Sequence, residues 1–184
     1  MADIILVLRS LCMIILMAGL PGTGKTTLAR ALAAHFGGTV LNKDEIRAAV
    51  FLAADIEYSA KQDDLIQQIM LEAAEFVLNK APSRFLFFDG RTFSRRYQID
   101  LVLEAAARWQ QPWRILECIC SEETAQRRLS DDAASGKHLA KDRDCQLYLR
   151  IKSQFEPITL PKTLIDTDQP IGDCLSQAIV PLSS

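Results

Sequence analysis

Residues Leu16 to Leu32 read LMAGLPGTGKTTLARAL and place three glycines, a lysine and three threonines between an apolar run and a helical pattern. The stretch from Gly19 to Thr26 fits the spacing G-x-x-x-x-G-K-S/T. Glycines let the backbone curl until successive N–H groups point into one concavity, and a helix that begins near Gly24 adds the positive end of its dipole. We therefore expect this loop to bind phosphate groups.

The polar residues of the loop indicate which phosphate compound it binds. Lys25 supplies a cation for β- and γ-phosphates, and the hydroxyl of Thr26 is a ligand for Mg²⁺. The pattern predicts ATP with Mg²⁺, bound by Gly19, Pro21, Gly22, Thr23, Gly24, Lys25, Thr26 and Thr27. The alternative is a glycine-rich turn between a strand and a helix that binds no ligand.

Short apolar runs alternate with helical patterns along the rest of the chain. The runs are typical of strands buried on both faces of a parallel sheet and span 13–18, 84–89, 113–120 and 162–166, with a shorter one at 39–42. Helical spacing predicts helices over 25–36, 62–80 and 94–109. Strands that alternate with helices favour right-handed crossovers, so we expect one three-layer α/β domain over residues 1–184.

The helix predicted over 62–80 has a specific apolar face. Its inward positions are expected to include Leu65 and Phe76, whereas Gln67 falls on another face. Pro82 is expected to end this helix before the next strand.

Composition and charge narrow the class of protein. The chain has 184 residues, of which 49% are hydrophobic and 24% charged, and a net charge of -2, which argues against a protein that coats nucleic acid. The apolar run from Ile4 to Gly19 is interrupted by Arg9 and Ser10, and a membrane-spanning helix needs about 20 apolar residues. We therefore expect a cytoplasmic protein without a membrane segment, in which residues 1–12 are an extra element or an over-extended start.

The stretch LNKDEIRAAVF, from Leu41 to Phe51, follows the short strand and contains two candidate catalytic residues. Asp44 and Arg47 are three positions apart, so on a helix both project toward the expected phosphate site. Asp44 is a candidate general base for a hydroxyl acceptor, and Arg47 a candidate clamp for an anionic substrate or the transferred phosphoryl group. In the alternative, Asp44 caps the helix and Arg47 is a solvated surface residue.

The stretch RFLFFDGRTFSRR, from Arg84 to Arg96, ends a predicted strand at Asp89. A carboxylate at this edge of the sheet can act on hydrated Mg²⁺ in the Walker B manner or orient the acceptor. The alternative is a simple turn formed by Asp89 and Gly90. For Arg91, Arg95 and Arg96, anion contacts and solvated charges both remain open.

Residues 121–155 have a helical start, a polar middle and a second helical pattern. This composition is compatible with a lid that closes over the phosphates, for which the candidate cations are Arg127, Arg128, Lys137 and Arg143. Ordinary solvated helix charge is the competing explanation.

Five stretches together resemble the small P-loop kinases, a family often described as AAA-type ATP-binding proteins and similar to polynucleotide 5′-kinases, zeta-toxin kinases, chloramphenicol phosphotransferase and gluconate kinases. The stretches are GLPGTGKTTLARALA, NKDEIRAAVF, FFDGRTFSRR, SEETAQRRL, and QFEPI followed by LIDTDQP. The resemblance implies an adenylate-kinase-like core, a P-loop nucleoside triphosphate hydrolase fold with a parallel sheet of about five strands and a helical lid. It also implies that residues 166–170 lie near the adenine.

The resemblance implies roles for individual residues. Asp44 matches the base, Arg47 the arginine that positions the acceptor, and Arg127 or Arg128 the lid arginine, of which we take Arg128. With the residues derived above, the expected catalytic set is Lys25, Asp44, Arg47, Asp89 and Arg128, and the expected Mg²⁺ contacts are Thr26 and Asp89. The lid departs from the family pattern at SGKHLAKD.

The leading expectation is an ATP-dependent kinase that phosphorylates a hydroxyl of a small-molecule or nucleotide-like acceptor. One alternative is a polynucleotide 5′-kinase; a nucleic-acid acceptor stays open but is not favoured. The other is a nucleotide-dependent switch or ATP-binding module with little chemistry, which the altered lid supports. The sequence does not identify the acceptor or any protein partner.

Overall fold

A parallel sheet organises the chain in this computed structural model, which describes residues 12–135 and 145–183. Within these residues five strands pair in the order β2-β3-β1-β4-β5, all parallel. They are β1 (Ile14–Ala18), β2 (Thr39–Asn42), β3 (Leu86–Asp89), β4 (Trp113–Ile119) and β5 (Thr163–Asp166). Residues 1–11 of the predicted N-terminal element and residues 136–144 of the predicted lid, with Lys137 and Arg143, lie outside the described residues.

Helices cover both faces of the sheet, because the strands are apolar on both sides. They are α1 (Lys25–Phe36), α2 (Lys43–Val50), α3 (Ala60–Lys80), α4 (Arg96–Arg108), α5 (Glu122–Ser135), α6 (Cys145–Gln154) and α7 (Ile171–Leu182), with a short 3-10 turn at Ala53–Asp55. Ile14 and Leu16 of β1 pack with α3 and α4, whereas Ile15 and Met17 pack with α1 and α7. The three-layer α/β architecture predicted from the sequence is confirmed.

The predicted face of α3 is wrong in detail. Leu65 and Phe76 are 50% and 62% exposed, and Gln67 is buried. The buried stripe instead follows Ile66 and Met70, and the Gln67 amide satisfies its hydrogen bond by donating to the Gln98 carbonyl at 2.8 Å. The boundaries agree better, since the helix ends at Lys80, before Pro82.

The order of the strands creates a crevice at the carboxyl edge of the sheet. The central strand β1 has β3 on one side and β4 on the other. The chain therefore runs to one side of β1 for β2 and β3 and to the other side for β4 and β5. In open parallel sheets, ligands bind in the crevice at such a switch point. The glycine-rich loop between β1 and α1 lies there. Among the described residues, no helix combines the length and apolar character needed to span a bilayer.

Candidate functional site

The glycine-rich loop has a backbone that only glycine accommodates at two positions. Gly19 has φ +128°, and a Cβ there would lie 2.3 Å from the carbonyl oxygen of Cys118. Gly22 has φ +78°, and its Cβ would lie 2.6 Å from the carbonyl oxygen of Ala125 on α5. Any larger residue would therefore push the loop away from β4 or from the lid helix.

The first turn of α1 presents positive charge toward the loop. The N-cap residue of α1 is Gly24, so no side chain caps the backbone N–H groups at this end of the helix. The first turn also holds no acidic residue. Lys25 is 7% exposed and donates from Nζ to the Leu20 carbonyl at 2.7 Å. A buried ammonium at the positive end of a helix dipole is suited to an anionic ligand.

A cavity of about 540 Å³ opens above the loop. Five of the predicted nucleotide-binding residues line it: Gly22, Gly24, Lys25, Thr26 and Thr27. The other three, Gly19, Pro21 and Thr23, are not among its lining residues. Thr23 instead supports the loop from within, donating from Oγ1 to the Leu20 carbonyl at 2.7 Å.

Asp89 ends β3 and is fully buried. Its Oδ2 accepts a 2.6 Å hydrogen bond from Asn42 Nδ2, whereas Oδ1 has no hydrogen-bond partner among the described residues. A buried carboxylate with one unsatisfied oxygen has the chemistry of a ligand for a hard cation such as Mg²⁺, directly or through its water. The Thr26 hydroxyl lies on the lining of the large cavity, whereas Asp89 is not one of the lining residues.

The structure excludes the alternatives in which Asp44 caps α2 and Arg47 is a solvated surface residue. The cap of α2 is Asn42, whose Oδ1 accepts from the backbone of Asp44 at 3.0 Å, so Asp44 is not the cap. Arg47 is 1% exposed and therefore not a solvated surface residue. Its Nη1 donates to Asp44 Oδ1 at 3.0 Å, and its Nη2 donates to Asp63 on α3.

A second cavity of about 230 Å³ adjoins the first. Asp44 and Gly90 line both cavities, and Arg47 lines the second alone. In the second cavity Lys43 Nζ lies 2.8 Å from Asp63 Oδ1 and 3.9 Å from Asp44 Oδ1. Burial lowers the pKa of Lys43, and the charges of Asp63 and Asp44 act in the opposite direction.

The three arginines after Asp89 lie in different surroundings. Arg91 is 3% exposed, lines the second cavity and donates from Nη2 to Asp64 at 2.6 Å. Arg95 and Arg96 lie in exposed ion pairs, with Glu156 at 3.0 Å and Asp100 at 2.7 Å respectively. Hydrogen bonds from the Arg96 backbone N–H and the Arg95 side chain lower the pKa of Glu156.

The two candidate lid arginines of α5 differ in their surroundings. Arg127 is exposed, whereas Arg128 lines the large cavity. Arg128 Nη2 donates to the Thr167 carbonyl at 2.7 Å, and Nη1 lies 3.1 Å from Thr167 Oγ1. Thr167 Oγ1 also donates to the Thr23 carbonyl at 3.0 Å, so this hydroxyl connects the glycine loop to the lid helix.

Residues 166–170 contribute to the same cavity from the far side. Thr167 and Gln169 line it, and Ile171 and Cys174 follow on α7. The family resemblance implies that this segment lies near the adenine, but no sequence pattern identifies Thr167. Sequence reasoning also missed Asn42, Lys43 and Asp63. An asparagine directly before a helical pattern is a cap signal that would have identified Asn42.

A glycine-rich loop that joins the central strand of a parallel five-stranded sheet to the following helix defines the P-loop fold. The chain belongs to the AAA domain family, whose model AAA_33 matches residues 14–158. No curated protein matches the chain significantly.

Solved structures share the fold at low sequence identity. A candidate kinase from Chloroflexus aurantiacus J-10-fl is 19% identical with a TM-score of 0.73, covering 93% of this chain and 98% of that one. A sugar kinase from Janibacter sp. HTCC2649 is 16% identical with a TM-score of 0.67, covering 94% and 95%. The APS kinase of Mycobacterium tuberculosis, solved with AMPPNP and APS, is 17% identical with a TM-score of 0.67, covering 95% and 98%. The resemblance to small P-loop kinases and the predicted fold are therefore confirmed.

Proposed function

We propose that this protein is a kinase that transfers the γ-phosphoryl group of MgATP to a hydroxyl of a small-molecule acceptor. One observation carries the proposal: Asp44, a buried carboxylate, lines both the cavity above the glycine loop and the smaller cavity beside it. A base that serves phosphoryl transfer must reach the acceptor hydroxyl next to the γ-phosphate. The kinases among the structural neighbours support the same reading.

In this proposal the large cavity holds the nucleotide. The backbone of the glycine loop and Lys25 bind the β- and γ-phosphates, and Arg128 adds a second cation from α5. Thr26 and Asp89 hold Mg²⁺. When bound, this ion would neutralise the negative charge that develops on the phosphoryl group during transfer. Thr167 and Gln169 line the end of the cavity assigned to the adenine.

The smaller cavity holds the acceptor. Its hydroxyl oxygen forms a bond to the γ-phosphorus, the bond from that phosphorus to the bridging oxygen breaks, and ADP leaves. The hydroxyl proton passes to the Asp44 carboxylate. Arg47 donates to Asp44 Oδ1 at 3.0 Å and thereby orients the base.

The test is ADP formation from MgATP by the purified protein, alone and with pooled sugars, nucleosides, antibiotics and 5′-hydroxyl oligonucleotides. We expect one pool to stimulate ADP formation in the wild type and none to do so in Asp44→Asn, which should still bind ATP. An Asp44→Asn protein with full stimulated turnover would contradict the base assignment. ATP binding without stimulated turnover in any pool would favour a nucleotide-dependent switch over a kinase.

A further inference from the structure

Among the described residues, the lining of the smaller cavity holds more cations than carboxylates. The cations are Lys43, Arg47, Arg91 and Arg150, and the carboxylates are Asp44 and Asp63. Asp64 does not line the cavity but pairs with Arg91 at 2.6 Å. When Asp64 is counted as well, four cations face three carboxylates, so the cavity keeps one positive charge in excess.

Arg150 is the cation that lacks an acidic partner. The other three are at most 8% exposed. They lie in ion pairs, Lys43 and Arg47 with Asp63, and Arg91 with Asp64. Arg150 lies on α6 and is exposed. Within the described part of the chain, its guanidinium forms no ion pair and no hydrogen bond, and only its backbone carbonyl accepts one, from Ser153 Oγ at 2.9 Å.

Two of the paired arginines also keep an unused donor. The Nε atoms of Arg47 and Arg91 are buried and have no hydrogen-bond partner among the residues that the structure describes. Both side chains line the smaller cavity. A guanidinium group donates hydrogen bonds and cannot accept them, and buried polar groups are normally satisfied. The arginines of this cavity therefore fit a ligand that is rich in acceptor oxygens.

From the excess charge and the unused donors, we propose that the acceptor carries a carboxylate or phosphate group and that Arg150 binds this group. The oxygen atoms of both groups match the fork of N–H donors on a guanidinium. This inference rests on the proposed kinase function. It names the substrate class and a specificity-determining residue of the same site.

The positions of Asp44 and Arg150 orient such an acceptor. Asp44 lines both cavities, so the hydroxyl to be phosphorylated lies where the two cavities adjoin. Arg150 lines the smaller cavity alone and is exposed, so an anionic group bound there keeps part of its hydration. Binding at Arg150 also leaves Asp63 in its ion pairs with Lys43 and Arg47. The anion therefore need not compete with a buried carboxylate.

The test compares acceptors that differ in one anionic group. Hexoses are compared with the corresponding uronic acids and 6-phosphates, and ribonucleosides with their 5′-monophosphates, by kcat/KM for ADP formation with the full-length protein. We expect an anionic member to be preferred over its uncharged partner by at least about tenfold. The uronic acids and the phosphates distinguish a carboxylate from a phosphate. A kcat/KM for the uncharged members that equals or exceeds that of the anionic ones would overturn the inference and leave the kinase assignment intact.

The variant Arg150→Gln removes the charge and keeps a polar side chain. We expect it to reduce the preference for the anionic member by about tenfold, mainly through KM. Arg150→Lys keeps the cation and should retain part of the preference. Arg108→Gln is the matched control, because Arg108 is exposed on α4 and lines neither cavity. A wild-type preference in Arg150→Gln would show that Arg150 is a solvated surface charge and would overturn the inference.

A binding experiment separates the inference from the proposed function. With the glycine-loop cavity saturated by AMPPNP and Mg²⁺, inorganic phosphate at constant ionic strength should raise the melting temperature of the wild type more than that of Arg150→Gln. Arg108→Gln should respond as the wild type does. The glycine loop is the same in all three proteins, so the difference reports on the smaller cavity. Equal stabilisation of the wild type and Arg150→Gln would overturn the inference even if no acceptor pool supported turnover.

Discussion

Asn42 Nδ2 donates a 2.6 Å hydrogen bond to Asp89 Oδ2, and the same side chain caps α2 through its Oδ1. The two residues are partners in the register of β2 and β3. One amide thus fixes the helix that carries Asp44 relative to the carboxylate proposed to act on Mg²⁺. The distance between the proposed base and the proposed metal ligand therefore depends on Asn42.

The variant Asn42→Ala should lower the free energy of unfolding by about 2 kcal/mol, about half from the lost cap and half from the buried hydrogen bond. Urea unfolding measures this change. Asn79→Ala is the control, because Asn79 is exposed on α3 and its loss should change stability little. Equal effects of both substitutions would show that the hydrogen bonds of Asn42 are energetically unimportant.

Replacing Lys25 by alanine should abolish nucleotide-dependent turnover, because it removes the buried cation at the start of α1. We expect ATP affinity to fall by at least about tenfold, measured by calorimetry. Lys61→Ala, at an exposed position of α3, serves as the control. Unchanged ATP binding by Lys25→Ala would argue against the glycine loop as the phosphate site.

The Thr167 hydroxyl should matter for nucleotide use because it bonds the glycine loop and Arg128. Thr167→Val keeps the shape, removes the hydroxyl and should lower kcat/KM for ATP by about tenfold. Thr167→Ser restores the hydroxyl and should recover most of the loss. If Thr167→Ser, which keeps the hydroxyl, lost as much activity as Thr167→Val, the hydrogen bonds of the hydroxyl would not explain the effect.

Gly19→Ala should destabilise the fold, since a Cβ at φ +128° would meet the Cys118 carbonyl oxygen at 2.3 Å. Backbone strain of this kind costs about 1–3 kcal/mol before the clash is counted. Gly172→Ala is the matched control, because its Cβ would meet no atom within 4 Å. It should stabilise α7 by up to about 1 kcal/mol. Both changes are measurable by thermal unfolding.

Burial raises the pKa of the Cys118 thiol from 9.0 to about 12. The folded state therefore keeps a proton that the unfolded chain releases above pH 9, and its stabilising effect is lost as the pH rises toward 12. The free energy of unfolding should fall by about 1.4 kcal/mol per pH unit in this window from Cys118 alone. The difference between the wild type and Cys118→Ala, measured by urea unfolding at pH 8 and pH 10.5, isolates this contribution.

The order of elements and the glycine loop were predictable because they depend on local patterns. The bounds of α1 and β2 agree with the predicted ranges 25–36 and 39–42, since Gly37 and Gly38 separate two clear periodicities. The face of α3 was not predictable. Leu65 is exposed and Gln67 is buried. Gln67 can be buried because its amide donates to the Gln98 carbonyl, which lies 31 residues away in the chain and is not part of any local pattern.

The proposed acceptor cavity depends on contacts that no local pattern encodes. Lys43 and Asp63 are separated by 20 residues, and each looks like an ordinary helix charge. Their pairing follows from the packing of α2 against α3. Both Asp44 and Arg47 are buried. Their catalytic roles remain predictions that rest on their spacing.

The hydrogen bond between Thr167 and Thr23 spans 144 residues of the chain. During synthesis the glycine loop emerges early, but the threonine that fixes it arrives only with β5, at the edge of the sheet. Contacts of such long sequence separation form late, because the intervening chain must close first. A nascent chain thus lacks the hydrogen bond from Thr167 to the glycine loop until β5 has been synthesised.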